Sequence, residues 1–135
     1  MDEDNKTCAE LIFSRKESRM TELRELWDAY CDPDNEDNLT DDGECLDDFG
    51  LSFGYVEPHT WDDQPIGYWR YQLSWGGPSD EFRFHDTGRI EYRYHDWYDG
   101  AGADLEGDEY AFMKDLAEAV FGLARQRQKA WEMIW

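Results

Sequence analysis

The sequence predicts an α+β fold, a four-stranded antiparallel meander with an N-terminal and a C-terminal helix packed on one of its faces. Apolar residues recur at helical spacing in two separated segments, and between them large aromatic residues alternate with polar ones at period two. The connections inside the alternating region run to four or five residues, the length of hairpin turns. At 135 residues the chain suits one core, and a domain of that length buries roughly two thirds of the surface its unfolded form exposes. Seven Trp, eight Tyr and seven Phe place the apolar material in large flat side chains, unlike a disordered acidic tail, which is poor in aromatics.

The first helix is expected over 18–30, where Met20, Leu23, Leu26, Trp27 and Tyr30 recur at spacings of three and four and leave Glu22, Glu25 and Asp28 for water. Thr7 and Glu10 have the spacing of a capping box, which allows an earlier start. Residues 1–19 are therefore an arm or an extension of this helix, and residues 20–135 a single α+β domain. The run 32–48 is dense in carboxylates, contains no basic residue, is broken by Pro33 and Gly43, and predicts an exposed loop. Leu51, Phe53 and Tyr55 then mark a short strand that ends before Pro58.

In YWRYQLSWGGPSDEFRFH, residues 68–85, the alternation separates two faces. Trp69, Tyr71, Leu73 and Trp75 point to the core, and Tyr68, Arg70, Gln72 and Ser74 point away. Gly76, Gly77 and Pro78 make the bend. Phe82 and Phe84 continue the inner face opposite Glu81, Arg83 and His85; in the next strand Ile90, Tyr92 and Tyr94 face in while Arg89, Glu91, Arg93 and His95 face out. From Asp108 the period becomes helical, with Tyr110, Met113, Leu116, Ala117, Val120 and Ala124 as the stripe that covers the sheet. Trp131, Ile134 and Trp135 dock on the body or pair two copies, so a monomer or a homodimer is expected.

The formal charge is −20, from 33 acidic residues against 13 Lys plus Arg. Such a chain is repelled by phosphate backbones and anionic membranes, and an electrostatic partner must be basic. No run approaches the ~20 apolar residues of a membrane span. The opening MDEDNK is acidic where a signal peptide is positive, so a cytoplasmic location is expected. Cys8, Cys31 and Cys45 are odd in number and lack CxxC spacing, which points to reduced thiols.

Asp32, Asp34 and Glu36 have the alternate spacing of a calcium loop, but Asp37 takes the place of its turn glycine and Gly43 that of its bidentate Glu. No metal or cofactor is expected. His59, His85 and His95 belong to no hydrolase, metalloprotease or nucleotide-loop motif, and the chain is expected not to be an enzyme. Between Arg24 and Lys114 the basic residues are Arg70, Arg83, Arg89 and Arg93, all on the outer face of the sheet. Alternation with Glu81 and Glu91 predicts cross-strand ion pairs. A second site, for a small anion or a partner, would be built on Arg70, Arg83, Arg93 and Trp97, bordered by His85 and His95.

The acids gather at element ends. The partner-binding set is Asp32, Asp34, Glu36, Asp37, Asp41, Asp42, Glu44, Asp47 and Asp48 in the loop, with Asp62, Asp63, Asp96 and Asp99. A compact chain of this length is ~36 Å across, and duplex DNA of that length carries on the order of 20 phosphate charges. The net charge therefore matches a segment of duplex, although adaptation to high salt produces a similar total, and Asp outnumbers Glu by 19 to 14 with Lys scarce.

The block GYWRYQLSWGGPSDEFRF, followed by RIEYRYHDWYDGA and preceded by the helix MTELRELWDAY, resembles a family of small, acidic, largely uncharacterised proteins encoded on phages and plasmids. The resemblance covers about residues 20–123, and its most specific part is Trp75 to Glu81. It implies an anti-defence role of the antirestriction or anti-CRISPR type, in which acidic inhibitors act in the cytoplasm of the host cell, several as DNA mimics. The expected function is a non-enzymatic inhibitor that binds a basic, nucleic-acid-binding surface of a CRISPR or restriction complex without touching nucleic acid itself. The alternative is an immunity protein or antitoxin that blocks a basic nuclease toxin.

Overall fold

The computed structural model describes residues 7–35, 39–40, 43–75, 78–96 and 99–127. They fall into two compact units, one ending at Leu105 and the other starting at Glu106. Among the sequence expectations, the turn glycines Gly76 and Gly77, Trp97 and the C-terminal Trp131, Ile134 and Trp135 lie outside the described residues.

The first unit opens with α1, Cys8–Cys31. It starts where the Thr7–Glu10 capping box places it: the Thr7 hydroxyl accepts from the Glu10 backbone N–H, and the Glu10 carboxylate reaches back to the Thr7 backbone. Leu11, Ile12, Met20, Leu23, Leu26 and Ala29 form its buried stripe, while Trp27 and Tyr30 stack on each other with centroids 5.7 Å apart. Asp32 ends the helix in an extended conformation. The acidic segment is pinned by one turn of 3-10 helix, Leu46–Asp48, whose Leu46 is 2% exposed.

Among the described residues the sheet holds five strands: β1 (Ser52–Val56), β2 (Tyr68–Ser74), β3 (Pro78–His85), β4 (Ile90–Asp96) and β5 (Asp99–Asp104), paired antiparallel in chain order. The meander is as expected, but it has five strands rather than four. The additional strand, DGAGAD, has neither a β-branched nor an aromatic residue and is poor in strand propensity. It forms because the backbone of β4 offers it a full ladder, from Glu91↔Asp104 to Asp96↔Asp99.

Phe82, Phe84, Ile90, Tyr92 and Tyr94 are buried on the inner face as the alternation predicts. Phe53 stacks on Trp69 at 5.5 Å and meets Phe84 edge-on, contacts worth about 0.5–1.5 kcal/mol each beyond area burial. Asp80 shares this face and is 4% exposed. It accepts two hydrogen bonds from Arg19 of α1, Nε at 2.6 Å and Nη2 at 3.0 Å, one from the Tyr92 hydroxyl at 2.6 Å, and one from Ser74 Oγ. This carboxylate is the polar clamp between α1 and the sheet. Burial works against the Arg19 charge, but the pairing with Asp80 prevails and leaves its pKa raised.

Three side chains depart from the expected placement. A register shift between Gln72 and Ser74 pairs Ser74 with Asp80. A one-residue slip exchanges faces, so Ser74 turns inward to Asp80, and Trp75, expected in the core, is 77% exposed. Tyr68, expected to face water, is fully buried on the outer side.

The second unit contains α2, Gly107–Phe121, with Met113, Leu116 and Ala117 buried along one stripe. Gly122 closes it in the left-handed region at φ 58°, its N–H donating to the Glu118 carbonyl. That break shifts the helical phase, so Leu123 is buried and Ala124, assigned to the stripe by unbroken periodicity, is exposed.

Candidate functional site

The outer face of the sheet is the floor of a groove of about 770 Å³. The antiparallel register lays two rows of side chains across it: Arg70, Arg83, Glu91 and Asp104 in one, Gln72, Glu81, Arg93 and Gly102 in the next. The expected cross-strand ion pairs form mainly along the strands instead. Arg83 Nε donates to Glu81 Oε2 at 2.7 Å, Arg93 Nη1 to Glu91 Oε2 at 3.4 Å, and Arg89 Nη2 lies 3.2 Å from the same oxygen. Arg89 Nε reaches across to Asp104 Oδ1 of β5 at 2.6 Å, and His85 of β3 pairs with Glu91 of β4.

Glu91 is the hub of this floor. It is 5% exposed, and His85 Nε2 lies 3.0 Å from its Oε1. Burial alone would raise its pKa, yet the His85 hydrogen bond and the Arg93 and Arg89 guanidiniums override it and hold the carboxyl at about 2. The imidazole of His95, half-buried further along β4, is held below its ordinary value by burial and by Arg93.

Glycine makes room for these side chains. A Cβ on Gly102 would come within 2.3 Å of Glu91 Oε2 and 3.0 Å of Arg93, and one on Gly100 within 2.7 Å of His95 Nδ1. The lack of a side chain at Gly100 and Gly102 lets the polar groups of β4 lie flat across this part of β5.

The segment between β1 and β2 builds one wall. Gln64 organises it, accepting from the Trp61 N–H at 3.0 Å and donating to the carbonyls of Glu57 and Ile66. His59 and Asp63 take positive φ to close the bends. The result sets Trp61 over the floor, where its indole N–H donates to the Tyr68 hydroxyl at 2.9 Å. Arg83 lies on the other side of Tyr68, 4.6 Å from the ring centroid. Burial raises the Tyr68 pKa against the opposing effects of Arg83 and Trp61.

Of the expected second site, Arg70, Arg83 and Arg93 all line this groove with His85 and His95, and Trp97 lies outside the described residues. The expected acidic set is dispersed. Asp62 and Asp63 stand on the groove rim. Asp32 lines a separate shallow depression with Glu25 and Asp28, and accepts from the Asp34 N–H at 2.9 Å. Asp34, Glu44 and Asp48 are exposed. Asp96 is half-exposed at the end of β4. Asp99 caps α1 by accepting from the Cys8 N–H at 2.7 Å, the bond that lowers its pKa. Glu36, Asp37, Asp41 and Asp42 and the side chain of Asp47 lie outside the described residues. Trp61 and Tyr68 belong to the groove but not to the sequence-derived sites, and Gly100 and Gly102 were likewise not singled out although they make room for His95, Glu91 and Arg93; the tryptophan and proline of WDDQPIG were the available signal for a folded wall.

Among the described residues no group of three or more His, Cys, Asp or Glu is placed to hold a metal ion, and no helix is long and apolar enough to cross a membrane. Cys8, Cys31 and Cys45 are free thiols, and burial raises the pKa of Cys8. A scan against protein-family models matches none, and searches of curated proteins and of solved structures find no match.

Proposed function

We propose that the protein is a non-enzymatic acidic inhibitor that binds a basic, nucleic-acid-handling surface of a host defence complex, of the CRISPR or restriction type. The observation that supports this reading is a division of labour among its acids. Asp80, Glu81, Asp86, Glu91, Asp99 and Asp104 are engaged in hydrogen bonds or ion pairs within the fold. Asp34, Glu44, Asp48, Asp62 and Asp63 are exposed, and their carboxylates meet no donor among the described residues. The paired acids account for stability, and the unpaired ones are left to act outwards.

At a net charge of −20 such a surface accelerates encounter with a basic groove and competes with duplex for it. Occlusion of that groove requires no chemistry from the inhibitor. The test is co-purification against purified CRISPR and restriction complexes at about 50 and 200 mM salt, where an interface of this kind weakens by orders of magnitude. Neutralising Asp34, Glu44, Asp48, Asp62 and Asp63 together to Asn or Gln should slow association while leaving the fold intact. Recovery of no partner at low salt counts against the proposal.

A further inference from the structure

The groove floor contains an electrostatic mismatch. Arg70 and Arg83 are direct partners across β2 and β3, and directly opposed side chains on one face place their Cβ atoms ~5 Å apart, where like charges repel. Arg83 has an internal counter-charge: its Nε is held by Glu81, and its guanidinium lies on the Tyr68 ring. Arg70 is half-buried, yet among the described residues it has neither a hydrogen bond nor an ion pair. Arg93 Nε, one row along the floor, is buried without an acceptor. A chain with 33 carboxylates thus leaves guanidinium donors unmet in its own groove. Buried polar groups normally have partners, and unmet ones ask what satisfies them.

The surroundings restrict what that partner is. Glu81 and Glu91 are already committed to Arg83, His85, Arg89 and Arg93, and Asp62 and Asp63 stand on the rim. The wall beside Arg70 is apolar and open, with Trp61 51% and Ile66 44% exposed. A volume of about 770 Å³ lies within the range of small-molecule sites. The molecule's net −20 and the rim carboxylates penalise every negative charge beyond the one or two that the arginines neutralise.

We propose that this groove binds a small ligand consisting of one oxyanion group, carboxylate or monophosphate, on a flat aromatic body. The oxyanion sits between Arg70 and the terminal nitrogens of Arg83, and the ring lies against Trp61 and Ile66. Bound there, the anion relieves the Arg70–Arg83 repulsion and supplies the acceptor that the fold omits. Asp62 and Asp63 of the exposed carboxylates border the site, but binding of the small ligand does not depend on the protein partner.

The test is titration of the full chain with indole-3-acetate and with phenyl phosphate, followed by NMR of the Trp61 indole N–H and the arginine Nε–H groups. Neutral indole-3-ethanol and ATP serve as controls. At least one of the two anions should shift the Trp61, Arg70 and Arg83 signals with a Kd below about 1 mM, and the tighter of the two assigns the oxyanion to carboxylate or to phosphate. Arg70→Gln should weaken that ligand at least about ten-fold, as expected for loss of a charge-assisted hydrogen bond. It should leave the thermal midpoint of the free protein unchanged or raised, because the unrelieved repulsion is removed. Absence of binding by both anions, equal binding by indole-3-ethanol, tighter binding by ATP, or a lowered midpoint in Arg70→Gln overturns the proposal.

Discussion

Substituting Glu91 by Gln preserves its shape and removes the charge around which the groove floor is organised. The ordinary carboxyl value of 4.5 is lowered to about 2 in the fold, which corresponds to about 3 kcal/mol at ~1.4 kcal/mol per pH unit. A carboxyl held below its unfolded value stabilises the fold while ionised. That contribution is complete above about pH 5 and is lost as the pH falls through 4.5 towards 2. The absolute stability curve also contains the relief of self-repulsion as other acids protonate from a net −20. That term is shared by the two proteins, so the informative quantity is the difference between wild type and Glu91→Gln. Urea denaturation followed by tryptophan fluorescence between about pH 7 and pH 2 should show that difference shrinking by about 3 kcal/mol, a change of roughly 1–3 M in the separation of the midpoints. Curves that stay parallel across this window would refute the role assigned to Glu91.

Two further substitutions test the scaffold. Asp80→Asn leaves Arg19 of α1 without its charge partner; since Asp80 is 4% and Arg19 23% exposed, the expected loss is about 2–3 kcal/mol, below that for a fully buried pair. The double variant with Arg19→Met should recover part of it, and a single-variant loss under about 1 kcal/mol would show that the clamp is not structural. Gly102→Ala should cost about 1–3 kcal/mol by displacing the Glu91 carboxylate and Arg93. Gly54→Ala meets nothing within 4 Å and should stay within about 0.5 kcal/mol of wild type. Equal thermal shifts for the two glycine variants would contradict the packing of β4 side chains over β5.

Much of this architecture is legible in the chain because side-chain period encodes it. Period two in 68–85 and 90–95 sorted nearly every core aromatic from the arginines, since a strand's alternation is geometric and does not depend on what surrounds it. The α1 stripe and its capping box were legible for the same local reason. The candidate basic face was legible too: Arg70, Arg83 and Arg93 were placed together from parity alone, and they line one groove.

The features that parity missed are set by contacts outside the strand on which they lie. DGAGAD is a strand because β4 pairs with it and because its glycines leave space for Arg93, Glu91 and His95. Tyr68 is buried because the segment between β1 and β2 folds back and lays Trp61 on it, and Trp75 is exposed because a single register slip exchanges faces. The acids show the difference most clearly. Their number, their crowding into loops and the sign of any electrostatic partner follow from the order of residues, because charge and composition are additive. Which of them are spent inside the molecule, as Asp80, Glu91 and Asp99 are, and which arginine is left without a counter-charge, were decided by the tertiary structure alone, because a hydrogen bond depends on ångström distances that the order of residues along the chain does not fix.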